Sequence, residues 1–399
     1  NSGTWTSKWL RASEGGLKSV ETRCIVYGQK QNMKQGWTKF EGNPLICPHD
    51  WKHATDQSLQ LPAEHSDWAN DQSLVRGAGD LESKWLLFFN IGSWAVKGWG
   101  VAVADELAPL KKGRNPFSLY RPYPLHPGTA GRNAPNDWIY AKGILWSPDE
   151  TKRDDSHMWS SENLAEWTNE GVIQGMVGHD PGLCYDGRRF YLFNEKGHQI
   201  ALCTATDPTE KWEYKGEVLD AGGHTGDADV NFFNNRWHVF FDDDPHGHYQ
   251  LGYAWTTPSE FPYGWRVTHH VYGPHNPEQG QVWDDDTEEG NRFGSGDADV
   301  AVEGTTLYLT HERPVGMAWR EMDVLQADEQ HVALKLEADR DGDGTADVST
   351  EWHRISPGEK SWNVNMKPVS RKALVRLKAR LRTENPQESP LLTDLRINF

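Results

Sequence analysis

Acidic residues recur at the starts of short apolar segments of this chain: Asp71 in NDQSLV, Asp180 in HDPGLC, Asp227 and Asp229 in GDADVN, and Asp297 and Asp299 in GDADVA. A second polar set follows the aromatic runs that come next, with Asn90 after LLFF, Glu195 after YLFN, Asp242 after HVFF, and His311 and Glu312 after LYLT. Carboxyl groups gathered in one place repel one another, so some must keep a proton or share a cation or an arginine. That crowding is what acid/base chemistry uses: one carboxylic acid protonates a leaving oxygen while a carboxylate activates water or attacks. For cleavage at a sugar acetal the two stand about 6.5–9.5 Å apart when configuration inverts and about 5–5.5 Å apart when it is retained. Each aspartate also has a plainer use, because Asp at a strand start accepts backbone N–H bonds in an Asx-type turn.

The elements that would position these groups form a repeat. From Asp180 the chain reads as a short strand, an Asp-Gly turn, an aromatic strand, a polar loop and a third strand, and the units headed by Asp227 or Asp229 and by Asp297 or Asp299 repeat the plan. An upstream copy begins at Asp71, and the stretch from Asp137 to Trp167 is a degenerate fifth headed by Asp137. The spacing of the copies suits propeller blades with variable loops better than a solenoid, and the recurring acidic head favours a propeller over a β-sandwich. The expected fold is all-β: a five-bladed β-propeller over residues 1–325, with 1–40 as an N-terminal extension or closing strand. Residues 326–399, where apolar and charged residues alternate, form a small C-terminal β-sandwich-like domain or extension. In such a blade the first strand starts at the face to which the second returns, so both polar sets share one rim.

Composition narrows the partners. The 399 residues carry a formal net charge of -17, which repels nucleic-acid phosphates and anionic membranes. Only 36% of residues are hydrophobic, yet 20 Trp, 12 Tyr and 13 Phe supply ample apolar area for a core. There is no apolar run of about 18 residues to span a membrane, and no signal peptide in these residues, so a secreted or periplasmic location is expected after removal of one. Of the four cysteines, Cys184 and Cys203 are predicted on strands separated by a third, too far apart to bridge, whereas Cys24 with Cys47 stays open.

The HDPGL…DG…YLF unit, the NDQSLV…WLLFF unit and the preceding GNPLI segment resemble the five-bladed β-propeller glycoside hydrolases, the group that includes families 43 and 117, over roughly residues 40 to 325. The resemblance implies Asp71 as catalytic base and Asp180, in His179-Asp180-Pro181, as the carboxylate that tunes the acid and orients sugar. The general acid departs from the family pattern, a glutamate at a blade head in family 43 or a histidine in family 117. Asp229, Glu312 and His224 are the candidates. His179, Asp242, Asp299, His311 and Arg313 complete the expected substrate-binding set, together with Trp94 and Trp138, because sugar C–H faces pack on aromatic rings.

The expected activity is therefore glycosidase action, by inversion, on plant or algal oligosaccharides or polysaccharides, with no cofactor needed for the chemistry. Long loops at 41–70, 115–136 and 272–296 would close the channel mouth and favour attack at chain ends. A polysaccharide lyase or a non-catalytic sugar-binding propeller are the rival readings, and the oligomeric state is not legible. Outside the propeller, Asp339, Asp341, Asp343 and Asp347 offer oxygens at alternating positions, as at the start of a calcium loop, but Thr350 stands where the bidentate Glu belongs. A structural Ca2+ is the expectation there.

Overall fold

The computed structural model describes the chain apart from residues 1, 7–9, 12–16, 27–32, 35, 52–53, 64–68, 78–80, 82–83, 94–95, 122–125, 131–136, 150–155, 234–235, 244–249, 274–296, 312–314, 323–329, 340–342, 344, 356–360, 367–373, 384–389 and 399. The chain divides into two compact units, residues 32–321 and residues 1–31 with 322–399. Among the described residues the helical structure is limited to short 3-10 turns such as Ala108–Lys112, and no helix is long and apolar enough to cross a membrane.

The larger unit is a five-bladed β-propeller. Blade one runs Ala69–Arg76, Trp85–Ser93 and Val96–Ala104, and Ser118–Leu119 and His126–Ala130 both pair with that third strand. Blade two is Ile139–Ala141, Ile144–Pro148, His157–Ser161 and Thr168–Val172; blade three is His179–Tyr185, Phe190–Glu195, Ile200–Ala205 and Glu213–Leu219. Blade four is Thr225–Phe233, Arg236–Asp243, Leu251–Thr256 and Arg266–Tyr272. Blade five has Asp299–Glu303, Thr306–His311 and Gly316–Glu321, and its fourth strand is Trp37–Lys39, with Thr38 opposite Trp319. The first strands lie side by side around the ring, blade five against blade one.

The unbroken apolar runs of the second strands follow from this stacking, because alternate side chains point into two different inter-blade cores. Leu87 and Phe89 pack with Ala301, Tyr308 and Met317 of blade five. Their neighbours Leu86 and Phe88 pack with Trp138, Leu145 and Trp159 of blade two. The other second strands follow suit, and Phe190–Glu195 is buried at every position. The outer strands, by contrast, face water, as in Thr168–Val172. Blade two turns tightly at Lys142 and Gly143, both at positive φ (54° and 87°), the signature of a primed hairpin turn.

The smaller unit joins both ends of the chain. Ser2–Thr6 and Leu10–Arg11 pair with Leu374–Thr383, which pairs with Gln330–Asp339; Leu17–Val26 lies between Ser361–Met366 and Pro390–Asn398. Strands of the two sheets lie against one another. The stretch 1–40 is thus divided: residues up to 26 pair with C-terminal strands, and only Trp37–Lys39 closes the propeller. Cys184 and Cys203 sit on the first and third strands of blade three, both free, and Cys47 is also a free, buried thiol, so the Cys24–Cys47 bridge does not form.

Candidate active site

The acidic heads resolve into two interleaved rings two residues apart. Asp71, Asp180, Asp227 and Asp297 occupy the same place in blades one, three, four and five, and all four have left-handed backbones, with φ of 44°, 46°, 43° and 47°. In blades one, three and four the residue sits inside a β-bulge, between Asn70 and Ser73, His179 and Gly182, and Gly226 and Asp229. A bulge with a left-handed residue takes that side chain out of the strand's alternation and re-aims it. Aspartate is among the few residue types that tolerate the conformation, at a cost of order 1–3 kcal/mol each.

Two residues later the strand register resumes, and the side chains there turn to the next blade. Ser73 Oγ accepts the Trp138 N–H of blade two at 3.0 Å. Asp137 accepts the Leu183 N–H of blade three, Asp229 accepts the Val300 N–H of blade five at 2.8 Å, and Asp299 accepts the Leu74 N–H of blade one at 2.5 Å. Blade three has Gly182 at this place, so close to blade four that an added Cβ would lie 1.8 Å from the Ala228 carbonyl oxygen. Every step around the ring is therefore either a side-chain-to-backbone bond or a backbone packed too tightly for a side chain.

Asp299 is buried and Asp137 and Asp229 are largely buried beside it, and their acidity shows it. Burial and the Asp299 carboxylate hold Asp137 well above the usual carboxylate range. Burial, Asp299 and Asp137 do the same to Asp229, and burial pushes Asp299 up to about 6. An aspartate in the unfolded chain ionises near ~3.9, so the folded state holds the Asp299 proton more tightly. The stability this contributes is complete below about pH 4 and is lost as the pH rises through about 6. The expected result is that urea midpoints of wild type, measured relative to those of Asp299→Asn, fall between pH 4 and 6, because Asn keeps an oxygen for Leu74 but has no proton to lose. Parallel pH profiles for the two proteins would refute the assignment.

At the rim the two sequence sets face each other across the strands, as the register pairs Asn70 with Asn90, His179 with Glu195 and Gly226 with Asp242. Asn90, fully buried, donates from Nδ2 to Asp71 Oδ2 at 2.8 Å. His179 Nδ1 is bonded to Asp180 Oδ2. Asp242 is buried and accepts the Asp297 N–H at 3.1 Å, and Asp227, Asp242 and Asp297 each bring a carboxylate oxygen within 4.8 Å of the others. Three carboxylates so close repel one another, which favours a proton, a cation or an arginine among them. Near Asp180, His224 Nε2 lies 3.2 Å from Glu195 Oε1.

The other expected residues divide. Asp229 and Asp299 belong to the inter-blade ring, since the two-residue offset turns them from the rim to a neighbour's backbone. Trp138 is core, stacked on Phe88 at 4.4 Å between ring centroids, because its place in blade two faces blade one. His311 is fully buried, and Gly316 packs so tightly on its imidazole that a Cβ would meet Cε1 at 2.1 Å. Trp94, Glu312 and Arg313 lie outside the described residues, as do residues 64–68, 122–125, 131–136 and 274–296 of the loops on which chain-end attack was argued. In the smaller unit Asp339 is buried, Asp343 accepts the Thr345 N–H at 2.7 Å and is exposed, Asp347 is exposed, and Asp341 is outside the described residues. Aligning NDQ, HDP, GDA and GDA on the first aspartate puts Asp227 and Asp297, rather than Asp229 and Asp299, in line with Asp71 and Asp180.

No protein-family model matches the chain, and no curated protein matches it. Solved structures do. A β-1,2-mannobiose phosphorylase from Listeria innocua is 12% identical with a TM-score of 0.52, the match covering 72% of this chain and 97% of that one. A Parabacteroides distasonis protein assigned to the glycoside hydrolases is also 12% identical with a TM-score of 0.52, covering 73% of this chain and 98% of that one. A glycosyl hydrolase from Bacteroides ovatus is 11% identical with a TM-score of 0.50, covering 77% and 99%. The likeness is one of fold, a five-bladed propeller shared with hydrolases and phosphorylases that act on sugars.

Proposed function

We propose that the chain hydrolyses O-glycosidic bonds of an oligosaccharide or polysaccharide by single displacement. Asp71 is the base, Asp227 the proton donor, and Asp180 the carboxylate that orients sugar beside the donor. The observation that carries this reading is the aspartate at left-handed φ at equivalent places of four blades. A turn device needs one backbone acceptor and no strained carboxylate, and in blades one, four and five the inter-blade bonds are already made by the residues two places later. Repeated strain at one rim marks groups held for chemistry.

In this scheme the Asp71 carboxylate takes a proton from water, whose oxygen forms the new bond to the anomeric carbon as the bond to the leaving oxygen breaks. Asn90 holds Asp71 by its amide N–H. Asp227 gives its proton to the leaving oxygen; the carboxyls of Asp242 and Asp297 beside it favour a proton on this cluster, because three charges there repel. His179 fixes the carboxylate of Asp180. Inversion at the anomeric carbon follows from a water activated on the face opposite the donor.

The test separates acid from base and water from phosphate. Asp227→Asn is expected to lose on the order of 10³-fold in kcat on an oligosaccharide, whose leaving alcohol needs a proton, and far less on a nitrophenyl glycoside, whose leaving group does not. Equal losses on both would remove Asp227 as the donor. Turnover that requires inorganic phosphate and yields a sugar phosphate would replace hydrolysis with phosphorolysis.

A further inference from the structure

Three histidines converge on one buried carboxylate at the rim between blades three and four. Glu195, the last residue of the second strand of blade three, has a side chain only 8% exposed. His224 Nε2 lies 3.2 Å from its Oε1, His198 Nδ1 4.0 Å and His179 Nε2 4.0 Å. The donor atoms of Glu195, His198 and His224 all lie within 4.8 Å of one another. His198 is brought there by the turn that follows Glu195, where it adopts φ of 69°, and His224 by its place just before the first strand of blade four. Gly226 completes the arrangement. A Cβ there would stand 2.2 Å from Glu195 Oε2 and 2.8 Å from His224 Cε1, so only glycine leaves space for both ligands.

We propose that Glu195, His198 and His224 form a binding site for a divalent first-row transition metal, of which Zn2+ fits best. Two imidazole nitrogens and one carboxylate oxygen are a donor set that suits Zn2+ and disfavours Ca2+ or Mg2+, which take oxygen ligands. Donors about 2.0–2.1 Å from a tetrahedral Zn2+ stand roughly 3.4 Å apart. The Glu195–His224 pair is already at that spacing. The His198 side chain is 69% exposed and needs to move only about an ångström to reach it. His179 is bonded through Nδ1 to Asp180 and keeps Nε2 4.0 Å from Glu195 Oε1, so it ties the site to the Asp180 carboxylate. Three protein ligands leave a fourth position for water or a sugar hydroxyl, and the exposure of His198 puts that position toward solvent. The site is separate from the Asp227, Asp242 and Asp297 carboxyls, and its existence does not depend on the hydrolytic reading.

The experiment uses the whole chain, freed of metal by chelation and titrated with Zn2+ in a calorimeter, with Co2+ in parallel as an optical probe. Wild type is expected to bind one Zn2+ in this site and to give the intense visible bands of four-coordinate Co2+. His198→Asn keeps a residue that tolerates the left-handed turn, so its metal-free melting temperature is expected to match wild type while Zn2+ affinity falls at least 100-fold. His224→Ala is expected to lose the Co2+ bands. Zn2+ affinity and Co2+ spectrum unchanged in a folded His198→Asn protein would overturn the proposal, as would the absence of stoichiometric Zn2+ binding by wild type.

Discussion

Asp71→Asn is expected to lower kcat on the order of 10³-fold on every substrate the protein turns over, whatever the leaving group. The same water must be activated in the same transition state whichever leaving group departs, so a comparable loss is expected for an oligosaccharide and a nitrophenyl glycoside. In this it differs from Asp227→Asn. Asparagine tolerates left-handed φ as aspartate does, and its oxygen can still accept the Asn90 amide N–H seen at 2.8 Å. The melting temperature is therefore expected to stay within about a degree of wild type, since exposed and half-buried substitutions that keep their contacts move stability little. Binding of an oligosaccharide, followed by calorimetry, should survive. Full turnover in a folded Asp71→Asn protein would end the assignment of the base.

Gly182→Ala is expected to lower stability more than alanine at any other described glycine of the propeller. The new Cβ would stand 1.8 Å from the Ala228 carbonyl oxygen and about 3.0 Å from its carbon, and backbone of the adjoining blade cannot rotate away as a side chain could. Overpacking of this kind costs ~3 kcal/mol or more, which lowers the midpoint by roughly 6–12 °C in a domain of this size. Gly223→Ala is the control, because a Cβ there meets nothing within 4 Å. Thermal unfolding followed by near-ultraviolet circular dichroism distinguishes them, and equal midpoints would mean that blades three and four do not approach as described.

Much of the propeller was legible because its pattern is local. The runs LLFF, YLF and VFF announce strands buried on both faces, and the recurring Asp with a turn a few residues on marks where each blade begins. The fifth blade was harder, since its fourth strand, Trp37–Lys39, is separated from its partner by most of the chain and carries no pattern of its own. Residues 1–26 misled for a related reason: pairing with the far C-terminus leaves no trace in nearby sequence.

The site was half legible. Asp71 and Asp180 stand where the motif puts them, because NDQ and HDP each hold one acidic residue. GDAD holds two, and only backbone conformation decides between them: Asp227 takes the left-handed bulge and Asp229 the strand register that turns it to Val300. Trp138 misled because Asp137 before it resembles a rim loop, when both residues face inward to neighbouring blades. His311 follows the aromatic run LYLT, as Glu195 follows YLFN, but it stands one place earlier in register, opposite Gly316, and that one place puts it inside the blade.

The closing strand also fixes when the ring can become whole. Residues 37–39 leave the ribosome early and must wait, unpaired, until residues 316–321 have been synthesised. Pairing across so long a stretch of chain is slow, because the entropy of closing the loop is lost before any contact is gained. Blades one to four are each built from one continuous stretch and can form as they emerge, whereas blade five is completed last. The ring is thus closed in two places, by Trp37–Lys39 on the outer side of blade five and by the Asp299–Leu74 bond between the first strands of blades five and one.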